Sequence, residues 1–447
     1  MSSAEFRIPK PPGEQKYSTI GQMLSDWTNV PLSTIIGLSL IFIVAFSSHV
    51  DLSSDNDKVG LDSQVLLKLG FLGLGGLYGF FGFVSDPKVR KILLSSPVGW
   101  MTLILMFFVL AVPSSSTQTE SLASTMSIAC VLLMTVTAIV RIGVYQVLDA
   151  IFLAMTAFIL CSWLLFFVAP DICMFDEPIA DGEFTRRMGG LAHPNTLGQF
   201  SGLTIIIGCL LYHYREQRSL MRKIVLVLAF AALVGSLSRT SLAATVFAVV
   251  IIFRNQIFKQ KWVIYGAWIG AIGLLGLVVL SFSMDFGDAI TGKLALLSKS
   301  GDAEELTSGT GRSDIWAYTI QLIFERPMTG YGAATSKNYL ADYSLYTHNL
   351  ILNVAFSTGI FGGLAALLMC LGRVVALFKH YHPFADAMVV FILINGLTEN
   401  VIFSILAGFP TIIWTFGLCV RKVEELENEE PAEIISYRVA SPTGGTP

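Results

Sequence analysis

The 447 residues are 53% hydrophobic and only 14% charged, with a net charge of −3 and a mean hydropathy of +0.67. A soluble globular chain carries about 25% charged residues, so this composition excludes an ordinary soluble domain. The near-neutral balance offers no basis for binding nucleic acid, and solid apolar runs exclude an alternating porin-type barrel.

Crossing the hydrocarbon core takes about 20 mostly apolar residues. Apolar runs at 32–49, 64–84, 97–112, 121–140, 148–169, 195–212, 223–237, 240–253, 262–283, 349–372, 384–398 and 401–420 predict about twelve spans. The expected class is an all-α polytopic membrane protein. Residues 1–30 form an N-terminal tail and 31–283 hold spans one to nine. A long loop covers 284–347, spans ten to twelve cover 348–420, and 421–447 form a C-terminal tail. The first 30 residues are polar and show no cleavable signal peptide.

Lys and Arg favour the cytoplasmic side of a membrane. With the N-terminus inside, nineteen of them fall on inner segments and nine on outer ones, five of those nine in the long loop. Both termini are therefore expected in the cytoplasm, with 170–194 and 284–348 facing outward. Six cysteines without a C-x-x-C pair argue against a disulfide framework or a zinc site. Paired Asp or H-E-x-x-H spacing is likewise absent from the outward segments, so no metal site is expected. No internal repeat of the kind many transporters carry stands out.

The long loop is the polar exception. GRSDIWAYTIQLIFERP predicts a helix of about four turns, capped by Thr310 or Ser308, with Asp314 in its first turn and Pro327 as its stop. Ile315, Tyr318, Leu322 and Ile323 share one face, with Trp316 and Ile320 beside it. MTGYGAATS, which contains Tyr331, reads as a glycine-permitted turn.

Several polar residues sit where they are costly. Arg239, in SLSRTSL, lies between two apolar runs, which marks either a functional intramembrane cation or a snorkelling side chain. Arg312 opens the loop helix, where a cation opposes the helix dipole unless an anion binds between it and the free N–H groups. His348 is placed to act as a general base or to cap the following span. Tyr346, Thr347 and Asn349 can orient a sugar hydroxyl or cap that helix. In RRMGGLAHPNTLGQF, Arg186 and Arg187 are cations in an otherwise acidic loop, and His193 and Asn195 enter the next span. Glu399 can pair with an arginine or touch substrate.

SLSRTSL, TGRSDIW with RPMTGYG, and HNLILNVAFSTGIFGG together resemble the O-antigen ligase/polymerase family of bacterial surface-polysaccharide enzymes. HPNTLGQFSG is most similar to the exopolysaccharide polymerases among them. The resemblance implies a GT-C-type membrane glycosyltransferase of the bacterial inner membrane, working at the periplasmic face without metal, nucleotide sugar or other cofactor. The implied donor is a glycan on undecaprenyl pyrophosphate. The implied acceptor is a lipid-linked repeat unit for a polymerase, the first choice here, or lipid A–core for a ligase. Membrane lipid surrounds the site, and a chain-length regulator is a further implied partner. In this scheme Arg239, Arg312 and Arg187 bind pyrophosphate, and His348 either deprotonates the acceptor, with inversion, or only orients it. His193, Asn195, Trp316, Tyr331, Asn349 and Glu399 contact the sugars. A flippase for lipid-linked sugars and a structural scaffold are the competing classes.

Overall fold

The computed structural model describes residues 31–50, 63–178, 184–214, 220–254, 312–341, 343–344, 346–379 and 381–429. Its helices are α1 (Leu32–Ser47), α2 (Ser63–Ser85), α3 (Pro87–Leu94), α4 (Val98–Ala111), α5 (Gln118–Ile142), α6 (Val144–Val168) and α7 (Pro194–Tyr214). There follow α8 (Leu220–Gly235), α9 (Arg239–Ile252), α10 (Arg312–Glu325), α11 (Leu350–Thr358), α12 (Ile360–Lys379), α13 (Pro383–Gly396) and α14 (Phe409–Glu429). Breaks fall at sequence punctuation. The Asp86 side chain accepts from Lys88 N and opens α3 ahead of Pro87, Gly143 (φ 108°) parts α5 from α6, and His382 caps α13 ahead of Pro383.

Five of these helices (α2, α5, α6, α7 and α12) are long and apolar enough to cross a membrane. A sixth span results if α3 and α4, which meet at 77°, are taken together. α1, α9 and α13 are shorter apolar helices. The chain is thus a mostly helical integral membrane protein. The expected span at 262–283, the caps Ser308 and Thr310, and both chain ends lie outside the described residues.

Three expectations change. The run at 349–372 is not one helix, because Gly359 (φ 82°) separates α11 from α12. The run at 401–420 becomes helical only at Phe409, and residues 397–408 are irregular although the part from Val401 is mostly apolar. Long-range side-chain bonds satisfy that stretch: Asn353 Nδ2 donates to Phe403 O (2.7 Å), Ser124 Oγ to Ser404 O (3.4 Å), and Ala407 N donates to Ser127 Oγ (2.9 Å). Irregular backbone at membrane depth persists only where protein supplies such partners. Finally, the 170–194 loop is not plain coil, although the architecture stays all-α. An antiparallel hairpin, β1 (Met174–Pro178) and β2 (Phe184–Met188), occupies that loop, with Asp176 opposite Arg186 and Phe175 opposite Arg187.

The core is built on close helix contacts. Gly75, Gly76, Gly79 and Gly82 form the α2 face against α5, and a Cβ at Gly79 would come within 2.6 Å of Leu133 and Met134. Small residues let membrane helices approach in this way, since lipid gives no hydrophobic drive for their association. Across the centre, Phe200 of α7 stacks on Phe158 of α6 at 3.9 Å and meets Phe409 of α14 at 3.9 Å.

The long loop is fastened by two glycine turns. Tyr331 N donates to Phe356 O (2.9 Å), Gly332 N to Ser357 O (2.9 Å) and Ile360 N to Pro327 O (2.8 Å). Gly330 (φ 62°) and Gly359 (φ 82°) face this seam, where any side chain would strike backbone at 2.5 Å. RPMTGYG and FSTG therefore clasp each other. The clasp holds α10 so that Ile315, Thr319, Leu322 and Ile323 are buried, the last two in a small core with Tyr331, Leu340 and Phe356.

Candidate active-site cleft

A cleft of about 500 Å³ lies where the N-terminal ends of α7, α9, α10 and α11 meet the C-terminal end of α13. Arg239 is the first residue of α9 and Arg312 the first of α10; both line it. Helix N-termini carry partial positive charge and free N–H donors, so two cations at such ends create a strong field for an anion. Ser238, the α9 cap residue, makes no side-chain bond to that helix's N–H groups. Its hydroxyl bonds to Ser241 Oγ instead (3.0 Å), and Ser241 Oγ donates to Asn395 Oδ1 of α13 (3.0 Å). The serines of SLSRTSL thus pin the turn to α13. Gly198 allows α7 to approach, since a Cβ there would reach Ser238 at 2.6 Å.

Among the described residues Arg239 is exposed and in no ion pair; Arg312 donates from Nη2 to Glu399 Oε1 at 3.0 Å. That same oxygen accepts from Asn195 Nδ2 at 3.0 Å, and Glu399 Oε2 faces His348 Nδ1 at 3.3 Å. Glu399, carried on the irregular 397–408 segment, therefore joins three candidate residues. Burial alone would raise its carboxyl, but the His348 hydrogen bond and the charges of His348, Arg312 and His193 outweigh burial and hold it below the usual glutamate range.

His348 adopts a left-handed backbone (φ 48°), as does Leu237 (φ 50°) two residues before Arg239. Both line the cleft. Such conformations cost about 1–3 kcal/mol in a non-glycine residue and persist where surrounding structure enforces them. Here Thr347 and Asn349 on either side of His348 both bond to Asn400 Oδ1, at 2.8 and 3.2 Å. Trp316 Nε1 donates to Thr347 O (3.1 Å) and ties α10 to the same segment.

Strand alternation separates the two neighbouring arginines. Arg186 points outward to Asp171 and Asp176. Arg187 points inward and is only 3% exposed. Its Nε donates to Ser236 O (2.9 Å), Nη1 pairs with Glu177, and Nη2 donates to Asn195 Oδ1 (2.7 Å). Arg187 thus lines the cleft with its fork already committed to protein, and it braces Asn195 against Glu399.

His193 also lines the cleft. Trp316, Tyr331 and Asn349 are not in its wall. Tyr331 is buried in the clasp, stacked on Phe356 at 4.9 Å with its hydroxyl on Glu325. Asn349 spends its amide on the start of α11, accepting from Ile351 N and Leu352 N (3.0 Å each) and donating to Leu397 O (3.2 Å). Ser344 lines the cleft with its hydroxyl 3.0 Å from His348 Nε2, a pairing no local sequence signal announces.

Residues 224–367, which include Arg239, Arg312 and His348, match the family model described as O-antigen ligase. That segment is thus similar to the O-antigen ligase/polymerase family. A relative is the ComP-specific O-oligosaccharyltransferase of Acinetobacter baylyi, 23% identical over 222 residues, covering 46% of this chain. The aligned part spans 38% of that protein's length. Arg187, Asn195 and Glu399 lie outside the matched 224–367 segment, yet the fold brings them to the same cleft as Arg239, Arg312 and His348.

Proposed function

We propose that this chain is a membrane glycosyltransferase moving a glycan from polyprenyl pyrophosphate onto a hydroxyl acceptor at the periplasmic face. The observation that carries this reading is the cleft itself. It sets Arg239 and Arg312, each at a helix N-terminus, opposite a histidine held by Glu399. The arginines bind the pyrophosphate, which stays charged beside low-dielectric lipid, and stabilise the charge that builds on it as it leaves. His348 presents Nδ1–H to the Glu399 carboxylate, which leaves Nε2 as the basic nitrogen. The acceptor oxygen attacks the anomeric carbon from the side opposite the pyrophosphate, so the product is inverted. Glu399 and Arg187 position these groups.

The HPNTLGQFSG stretch favours a second lipid-linked repeat unit as acceptor, which makes the enzyme a polymerase. A second reading, transfer of a finished glycan to a different acceptor such as lipid A–core, is favoured by the O-antigen ligase match and by the name of the Acinetobacter relative. Purified protein in lipid, given an undecaprenyl-pyrophosphate-linked oligosaccharide, separates them. A ladder of multiples without lipid A–core establishes the polymerase. One larger product only with lipid A–core establishes the ligase. No product from folded protein and native donor, with either acceptor, overturns the transferase. Arg239→Ala and Arg312→Ala are each expected to lower turnover by about 10²–10³-fold, the usual loss when a charge-stabilising donor is removed.

A further inference from the structure

The basic nitrogen of His348 already has a protein partner in the cleft wall. Glu399 receives Arg312 and Asn195 on Oε1 and His348 on Oε2, so it is an accepting carboxylate and Nδ1 carries the imidazole proton. Nε2 is then an acceptor, and the group 3.0 Å from it is Ser344 Oγ. Tyr346 N donates to the same Oγ at 3.2 Å, which leaves the serine proton directed at Nε2 and one lone pair of Oγ free. Ser344 is also fixed from its backbone, since Ser344 N donates to the buried Leu340 O at 2.8 Å. The residue lines the cleft, in contact with the same space as Arg239 and Arg312.

We propose that Ser344 is a proton relay between the acceptor hydroxyl and His348. This rests on the transferase reading above and adds a residue to it. As the acceptor oxygen bonds the anomeric carbon, its proton passes to Ser344 Oγ and the serine proton passes to His348 Nε2. The bond from the anomeric carbon to the pyrophosphate oxygen breaks, and its electron pair leaves with the pyrophosphate. Ser344 ends neutral, and the new imidazolium lies against the Glu399 carboxylate. A hydroxyl held by two anchors costs little reorganisation when it transfers a proton, whereas displacing it would break both bonds.

The test is the single-turnover rate with an undecaprenyl-pyrophosphate-linked oligosaccharide in wild type, Ser344→Ala, and the isosteric pair Ser344→Thr and Ser344→Val. General acid–base groups contribute about 10²–10⁴-fold. Ser344→Ala and Ser344→Val are expected to slow the bond-forming step by at least about 10²-fold with the acceptor concentration dependence unchanged, while Ser344→Thr stays near wild type. Wild-type rates across H2O/D2O mixtures are expected to curve, as two moving protons require, and those of Ser344→Val to fall on a line. Equal rates for Thr and Val, or a faster reaction with tighter acceptor binding in Ser344→Ala, overturn the relay and make Ser344 a mere occupant of the acceptor seat. His348→Ala separates the two claims. If it retains activity, the base assignment itself fails. If it is inactive while Ser344→Ala is fully active, only the relay fails.

Discussion

Glu399 concentrates the electrostatics of the cleft in one side chain. Its carboxyl lies below the usual range because the ionised form is favoured by His348, Arg312 and His193 despite burial. A depressed folded value means that its stabilisation is fully present above the unfolded glutamate range, near 4.3, and is lost as pH falls through the lower folded value. Thermal unfolding of wild type and Glu399→Gln, followed from about pH 7 down to about pH 3, should show a gap that closes toward acid. A gap constant with pH would show that the charge is irrelevant. Arg187 and Arg239 make a second contrast at this scale. Arg187 is buried and tied to three partners, so Arg187→Ala should cost about 1–3 kcal/mol of stability by orphaning Asn195 Oδ1 and Ser236 O. Arg239→Ala removes an exposed side chain, and should leave the unfolding temperature in place while weakening donor binding. Equal stability losses in both variants would remove the distinction between brace and ligand.

At the scale of elements, local periodicity and distant fastening do different jobs. The α10 pattern was legible because its apolar face repeats at helical spacing, and Ile315, Leu322 and Ile323 are indeed buried. Where α10 docks was not legible, because that depends on two glycine turns about thirty residues apart in sequence clasping each other through backbone. Gly359→Ala would place a methyl 2.5 Å from Pro327 O in a left-handed conformation. It is expected to destabilise the protein by at least about 1–3 kcal/mol and to free α10, read as faster proteolysis within 312–325. Unchanged proteolysis and unfolding would show the clasp to be incidental. The hairpin escaped sequence reading because five-residue strands in a polar loop carry little hydrophobic signal. Its alternation nevertheless decides which of Arg186 and Arg187 faces the cleft.

Across the whole molecule, the cleft opens at the end of the bundle where α7, α9, α10 and α11 begin, while α14 begins at that end and runs to the other. From the charge bias of the connecting segments, the cleft is expected on the periplasmic side and the end of α14 on the cytoplasmic side. In a variant lacking the native cysteines, Asp176→Cys of the hairpin should react with a membrane-impermeant thiol reagent in intact spheroplasts, and Lys422→Cys only after permeabilisation. The reverse pattern would invert the topology and place the transfer reaction in the cytoplasm.

Hydropathy and the low share of charged residues were sufficient, from the sequence alone, to read a mostly helical membrane protein, and family resemblance grouped Arg239, Arg312 and His348. Those signals are local, because desolvation of a residue or a run depends mainly on its own side chains. Tertiary structure alone decided that Glu399 bonds to Arg312, Asn195 and His348, that the buried Arg187 bonds to Ser236, Glu177 and Asn195, that Tyr331 stacks on Phe356 while Asn349 caps α11, and that 397–408 is not a helix. Each of these depends on hydrogen-bond partners tens to hundreds of residues away, and a polar group's role is set by which partner satisfies it.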